Sequence, residues 1–314
     1  MSCLQSVLCA PTIQLRQDTK SGGSQAQFEA EGEQVNQAVV GDYTLEYLVR
    51  GAGEPVVFIH GAFIADALRP LVAELSLVNR YQLITYHRRG YGRSSRTPGP
   101  ITAAGQAADC AALLRYLNIE AAHVVGHSFG GAMALQLALD SPELVHTLAL
   151  LEPALFVGAS GPSYRESLAQ ATQRYRTEGG AVVMEDFCRA RWPAFSRAAL
   201  EQVLPGSYEQ AVADAPSTFD LDLGLLEWTF GEPEARSISQ PTLVVLGADS
   251  PRLHPRFGET YRLLLEWLPQ GEGYVLPGAT HFLQLENPKA AADLSAALVA
   301  FYARFPFDSG VRRL

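Results

Sequence analysis

The 314 residues carry 33 acidic against 24 basic side chains, a formal net charge of -9, and 47% of them are hydrophobic. That surplus of negative charge repels phosphate backbones and anionic bilayers, which argues against nucleic-acid and membrane-surface binding, and no stretch reaches the roughly 18 uncharged apolar residues of a membrane span. The length suits one α/β domain with an insertion.

Residues 1–37 open the chain. Positions 12–37 are rich in Gln, Ser, Gly and Glu, so 1–37 reads as a flexible arm. The first eleven residues lack the positive start of a secretory signal. The cysteines, Cys3, Cys9, Cys110 and Cys188, show neither metal-ligand spacing nor a disulfide framework. Together these point to a reducing, cytoplasmic setting.

Order is expected from residue 38, where AVVGDYTLEYLVRG alternates around a Gly41-Asp42 turn as a hairpin does. Short apolar runs follow at 56–59, 81–86, 122–125, 145–151, 242–246 and 273–276, separated by helical patterns at 102–119, 130–142 and 288–305. This is the rhythm of a mostly parallel sheet with helices on both faces. Residues 153–239 break it. They hold aromatic-bearing helical pieces at 163–175 and 181–195 and a polar stretch, DAPSTFDLDLG, at 214–224. The expectation is a catalytic domain of 38–152 and 240–314 with a helical cap inserted at 153–239; ordinary surface helices are the alternative.

The sharpest signal is VVGHSFGGAMAL at 124–135, a G-x-S-x-G pattern with an apolar strand before it and an apolar helix after it. Glycines flank a serine there because the strand must turn sharply into the helix, and a β-carbon at either flank would crowd the turn. Ser128 is the candidate nucleophile, and the helix amide end points at the charge that develops on its target. VVFIHGAF at 56–63 supplies a second strand end. An oxyanion hole is expected from the amides of Phe129 and Ala62, with Phe63 as the alternative to Ala62.

A serine hydroxyl needs a base. Of the seven histidines, His281 stands between the last strand run and the terminal helix, in a loop freed by Gly278 and Ala279. His127 reads as a neighbour pointing away from Ser128, and His60 as structural. Two carboxylates end apolar strands and compete to orient His281: Asp249, in PTLVVLGADSP, and Glu152, in VHTLALLEP. Asp109, Asp220 and Asp222 read as capping or solvated groups. Phe63, Trp192 and Trp228 are candidates for an apolar substrate pocket. No dinucleotide fingerprint or metal motif asks for a cofactor, and nothing visible encodes an oligomeric state.

With VVFIHGAF, YHRRGYGRSS, AAHVVGHSFGGAMAL, PTLVVLGADSP and LPGATHFLQLENP in this order, the chain resembles the α/β-hydrolase superfamily, and within it the capped esterase/haloperoxidase-like branch. The resemblance implies Ser128 as nucleophile, His281 as base, and oxyanion amides at Phe129 and just after His60-Gly61. Two departures stand out. His87 occupies a position that is usually acidic, and Ser250 stands where the family's aspartate is common, with Asp249 one place earlier. Some relatives take the acid from the strand that ends here at Glu152. Ser128 argues against the aspartate-nucleophile dehalogenases and epoxide hydrolases. The expected reaction is hydrolysis of a small or medium hydrophobic carboxylic ester through an acyl-serine. Carbon–carbon hydrolysis, a perhydrolase or cofactor-free lyase reaction, and a non-catalytic binding role are the alternatives.

Overall fold

The computed structural model describes residues 35–307. Most of the expected arm, together with Cys3 and Cys9, lies outside the described residues. Pairing begins slightly earlier than residue 38: β1 (Asn36–Val40) and β2 (Tyr43–Arg50) form the antiparallel hairpin around Gly41, with Val40 opposite Tyr43.

The remaining strands are β3 (Glu54–Ile59), β4 (Tyr81–Tyr86), β5 (Ala122–His127), β6 (Val145–Leu151), β7 (Thr242–Gly247) and β8 (Gly271–Leu276). They join one eight-stranded sheet in the order β1-β2-β4-β3-β5-β6-β7-β8. β2 runs antiparallel to β4, and every pairing from β4 to β8 is parallel. The central strands β5 and β7 are buried along their whole length. Strands covered on both faces need such unbroken apolar runs.

Between the strands lie α1 (Arg69–Val72), α2 (Leu75–Val78), α3 (Ala103–Tyr116) and α4 (Phe129–Asp140). α3 and α4 pack with Val57, Val124 and Leu148 on one face of the sheet. α1, α2 and the last helix, α12 (Pro288–Tyr302), cover Val56, Val125 and Val245 on the other. Side-chain caps fix two starts: the Gly105 amide donates to Thr102 Oγ1 at 3.0 Å, and the Ala290 amide donates to Asn287 Oδ1 at 2.8 Å.

After β6 the chain leaves the sheet for an inserted helical cap. It comprises α5 (Gly161–Glu178), α6 (Gly180–Arg189), α7 (Arg197–Val203), α8 (Ser207–Pro216), a wide turn at Ser217–Leu221, a 3-10 segment at Asp222–Glu227 and α9 (Glu232–Ser237). Returning through β7, the chain forms α10 (Ser250–Leu253) and α11 (Arg256–Trp267) before β8. A separate apolar cluster, with Val183, Met184, Trp192, Phe195 and Phe219 in the cap, closes onto Phe63 and Phe282 of the sheet-bearing part. The polar stretch 214–224 differs from its expectation. Asp214, Ser217, Thr218 and Asp222 are buried because Arg96, Gly90, Tyr91 and Arg88 supply partners for their polar atoms. None of the helices in the described residues is long and apolar enough to cross a membrane.

Candidate active site

Ser128 follows β5 with φ 54° and ψ −117°, a conformation that L-residues avoid. Its amide donates to Leu151 O at 3.0 Å, and its carbonyl accepts from Gly131 N at 3.0 Å and Ala154 N at 2.9 Å. The flanking glycines are a packing requirement. A β-carbon on Gly126 would collide with the backbone of Gly130, and one on Gly130 with the carbonyls of Ile59 and His60. Backbone strain gathers here. Of the five described non-glycine residues with positive φ, Phe63, Ser128, Glu152 and Leu283 all belong to the loops that meet at this point.

His281 reaches Ser128 from the loop after β8. Its Nε2 lies 3.0 Å from Ser128 Oγ, and its Nδ1 lies 2.8 Å from Glu152 Oε2. This geometry suits one tautomer, in which Nδ1–H donates to the carboxylate and Nε2 accepts from the hydroxyl. Glu152 is itself held. Its Oε1 accepts the Gly247 amide at 2.7 Å, and its own amide donates to Val245 O at 3.1 Å. Asp249, the competing acid, is not brought to His281. It is 37% exposed, and its Oδ1 lies 2.7 Å from Arg252 Nη1.

The site is dry: Ser128, Glu152 and His281 are each at most 4% exposed. Burial, helped by the charges of Arg256 and Arg191, holds the His281 imidazole well below its usual value, in the neutral form a base requires. Burial also pushes the Glu152 carboxyl up, to about 7, against the opposing pull of the Gly247 amide and Arg256. His127 points away from the serine. Its Nε2–H donates to His281 O at 2.9 Å, its ring lies against that of His281 with centroids 5.0 Å apart, and burial drops it to about 3.

The loop after β3 is built around Arg88, which follows β4. Its guanidinium donates to His60 O (3.1 Å), Gly61 O (2.8 Å), Gln106 Oε1 (2.6 Å) and both carboxylate oxygens of Asp222 (2.8 and 3.0 Å). His60 completes the brace, with Nδ1–H donating to Gly61 O and Nε2 accepting the Arg88 amide. Asp222 is therefore a buried ion-pair partner rather than a solvated acid. Asp109, likewise, is buried against Arg89 and Tyr43. At the end of this loop the Phe63 amide donates to Thr218 Oγ1 at 3.1 Å, whereas the Ala62 amide meets no acceptor among the described residues.

The aromatic candidates separate. Phe63 packs in the cap cluster against Phe187 and Phe219, at 4.9 and 5.3 Å between ring centroids. Trp192 lies against Phe195 and Phe282. Trp228 donates to Gln136 Oε1, stacks on Phe230 and borders an outer pocket of about 310 Å³ with Phe156 and Arg165. Over Phe129 the cap residues Leu168, Phe187 and Phe219 leave a cavity of only about 20 Å³, room for about one water.

A mostly parallel sheet with a strained serine between β5 and α4, a histidine after the last strand and a carboxylate after β6 defines a hydrolytic enzyme on the α/β-hydrolase scaffold. The family model described as the alpha/beta hydrolase fold matches residues 54–288, and the chain belongs to that family. Its sequence is 32% identical to RutD of Azorhizobium caulinodans, provisionally named a carbamate hydrolase, over 79% of this chain and 92% of that protein. It is 30% identical to BpoC of Mycobacterium tuberculosis, provisionally named a non-heme bromoperoxidase, over 82% and 97% respectively. Among solved structures, a thermophilic esterase from Thermogutta terrifontis superposes with a TM-score of 0.70 at 22% identity, covering 87% of this chain and 99% of the esterase. The enol-lactonase of Burkholderia xenovorans does so with a TM-score of 0.68 at 23% identity, covering 85% and 100%. These structural likenesses carry the fold alone.

Proposed function

We propose that the protein is a serine hydrolase that cleaves a carboxylic ester through an acyl-serine intermediate. The observation that carries this reading is the unbroken relay from Ser128 Oγ through His281 to Glu152, at 3.0 and 2.8 Å.

In this reading Ser128 Oγ attacks the ester carbonyl carbon while His281 Nε2 takes its proton. Glu152 stabilises the imidazolium through Nδ1–H. Negative charge on the carbonyl oxygen is met by the amides of Ala62 and Phe129 at the start of α4. Ala62 is the better donor of the two loop candidates, since Phe63 has given its amide to Thr218. Collapse of the intermediate expels the alcohol, which takes the proton back from His281. A water deprotonated by His281 then attacks the acyl-serine, and the acid leaves. The names of the esterase and lactonase neighbours, and of the hydrolase relative, agree with acyl transfer to water.

A rapid burst of p-nitrophenol from p-nitrophenyl acetate, stoichiometric with enzyme and absent in Ser128→Ala, is the expected result. Undiminished turnover by Ser128→Ala would refute the assignment, as would failure of the folded wild type to react with a fluorophosphonate.

A further inference from the structure

Among the described residues two arginines are buried almost completely, Arg88 at 1% exposure and Arg256 at 3%, and their surroundings are opposite. Arg88 has Asp222, Gln106 and two carbonyls for its donors. Arg256 has none for Nη1 or Nη2. Its guanidinium carbon lies 4.0 Å from the ring centroid of Tyr164 and 3.8 Å from that of Phe257. The buried Tyr164 hydroxyl and Nε of Arg191 lie side by side without a well-formed partner, while Arg191 Nη1 donates to Phe187 O at 2.9 Å and its guanidinium rests 3.4 Å over the Phe187 ring.

These groups adjoin the reacting centre. The Phe257 ring lies 5.0 Å from that of His281, and the Arg191 carbonyl accepts the His281 amide at 3.3 Å. Phe187, under Arg191, and Leu168, one turn beyond Tyr164 on α5, both border the cavity over Phe129. Glu152 is the nearby carboxylate, but its two oxygens are engaged by Gly247 and His281. A charge held in a dry, aromatic cage without an acceptor is poor structural design. Arg88 shows how the same chain satisfies an arginine whose task is structural. One guanidinium with both terminal nitrogens free, a second with its Nε free, and a phenol, all apolar on their faces, match a planar anion that accepts several hydrogen bonds at once.

We propose that Arg256, Arg191 and Tyr164 form a carboxylate subsite, so that the substrate is an ester bearing a free carboxylate on its acyl part rather than a neutral hydrophobic ester. This inference rests on the hydrolase reading above and names the substrate class of the same site. The carboxylate anchors the acyl chain while its ester carbonyl is presented to Ser128. The acid released carries two carboxylates, of which the new one forms at the serine.

The test compares mono-p-nitrophenyl esters of succinic, glutaric and adipic acids with the corresponding p-nitrophenyl methyl diesters, using the full chain. The wild type should favour at least one free acid over its methyl ester by about tenfold or more in kcat/KM. Arg256→Gln should bring that ratio to about one, and Arg256→Lys should restore part of it. A wild-type ratio of one or less overturns the proposal, as does a ratio unchanged in folded Arg256→Gln. Should Arg256→Gln not fold, the same ratio is read in Arg191→Gln. In the wild type, glutarate should compete with the neutral ester where glutaramide does not. Competition by inorganic phosphate but not by glutarate also overturns it. If no ester is turned over and the fluorophosphonate does not label Ser128, the hydrolase reading falls. Calorimetry of glutarate against glutaramide then decides the subsite by itself, with binding of glutarate alone supporting it and equal or absent binding refuting it.

Discussion

Asp249 and Glu152 present the same local pattern, a carboxylate ending an apolar strand, and periodicity cannot separate them. Their neighbours do. Arg252, three residues on, captures Asp249 at the surface, while the Gly247 amide fixes Glu152 in the dry interior. The spacing Asp-x-x-Arg was visible in the chain, but the approach of Gly247 depends on β6 and β7 pairing in register. Under the proposed mechanism Glu152→Gln turns the His281 tautomer around and should lower kcat by roughly 10⁴-fold, whereas Asp249→Asn should change it by less than about threefold, a solvated pair being a weak contributor. Steady-state ester hydrolysis with both variants checks this, and the reverse ranking would return the role to Asp249.

His87, where the resemblance leads one to expect an acid, is legible afterwards in the same way. Its Nδ1 lies 2.7 Å from Glu46 Oε2 and its Nε2 3.3 Å from Asp66 Oδ1. Burial opposes its charge, but these two carboxylates outweigh it and raise the imidazole to about 9. A raised pKa stabilises the fold fully below the unfolded value near 6.5 and loses that contribution as pH climbs through 9. The shift corresponds to at most about 3 kcal/mol. Denaturant titrations at pH 6 and pH 9.5 should show the wild type losing stability across this interval by more than His87→Gln does. Parallel losses in the two proteins would show that His87 gains no such stabilisation.

At the scale of elements, the strands, the sheet-flanking helices α3, α4 and α12 and the serine turn were legible because each rests on local periodicity and on glycines whose crowding is local too, whereas α11 was not expected. The cap was legible only as an interruption, and its fastening was not. DAPSTFDLDLG reads as polar and exposed until its acids meet Arg88 and Arg96 from the loop after β4. The Arg88 and Asp222 pair joins three pieces: the cap, α3 through Gln106, and the carbonyls of the loop that carries Ala62. Removing one member of such a pair strands a buried charge, so Asp222→Ala should cost about 3–5 kcal/mol. Arg88→Met combined with Asp222→Leu should recover part of that loss, because neither charge remains. Activity should not recover with it, since the carbonyls of His60 and Gly61 stay unbraced. Urea unfolding and ester kinetics on the single and double variants test both halves. A double variant less stable than the single, or one with full activity, contradicts this account of the clamp.

In the whole molecule the two halves differ in what holds them. The sheet is bonded strand to strand and filled on both faces, whereas the cap meets it through side chains: the apolar clusters that hold Phe63 and Tyr164, and polar ties that include Thr218, Arg191, Asp214, Ser217 and Asp222. Segments with fewer such bonds open at lower free energy than the core. Ser128 is only 4% exposed and the cavity bordered by Phe129, Leu168 and Phe219 holds about 20 Å³, so the expectation is that the cap moves when an ester enters. Amides of α5–α8 should then exchange hydrogen faster than those of β3, β5 and β6. Acylation of Ser128 by a bulky fluorophosphonate should change exchange in the cap while leaving the central strands as they were. The direction of that change reports whether the occupied state props the cap open or orders it around the acyl group. If the cap exchanged as slowly as the sheet and did not respond to the label, substrate would reach Ser128 without cap movement, and this account of the cap would fail.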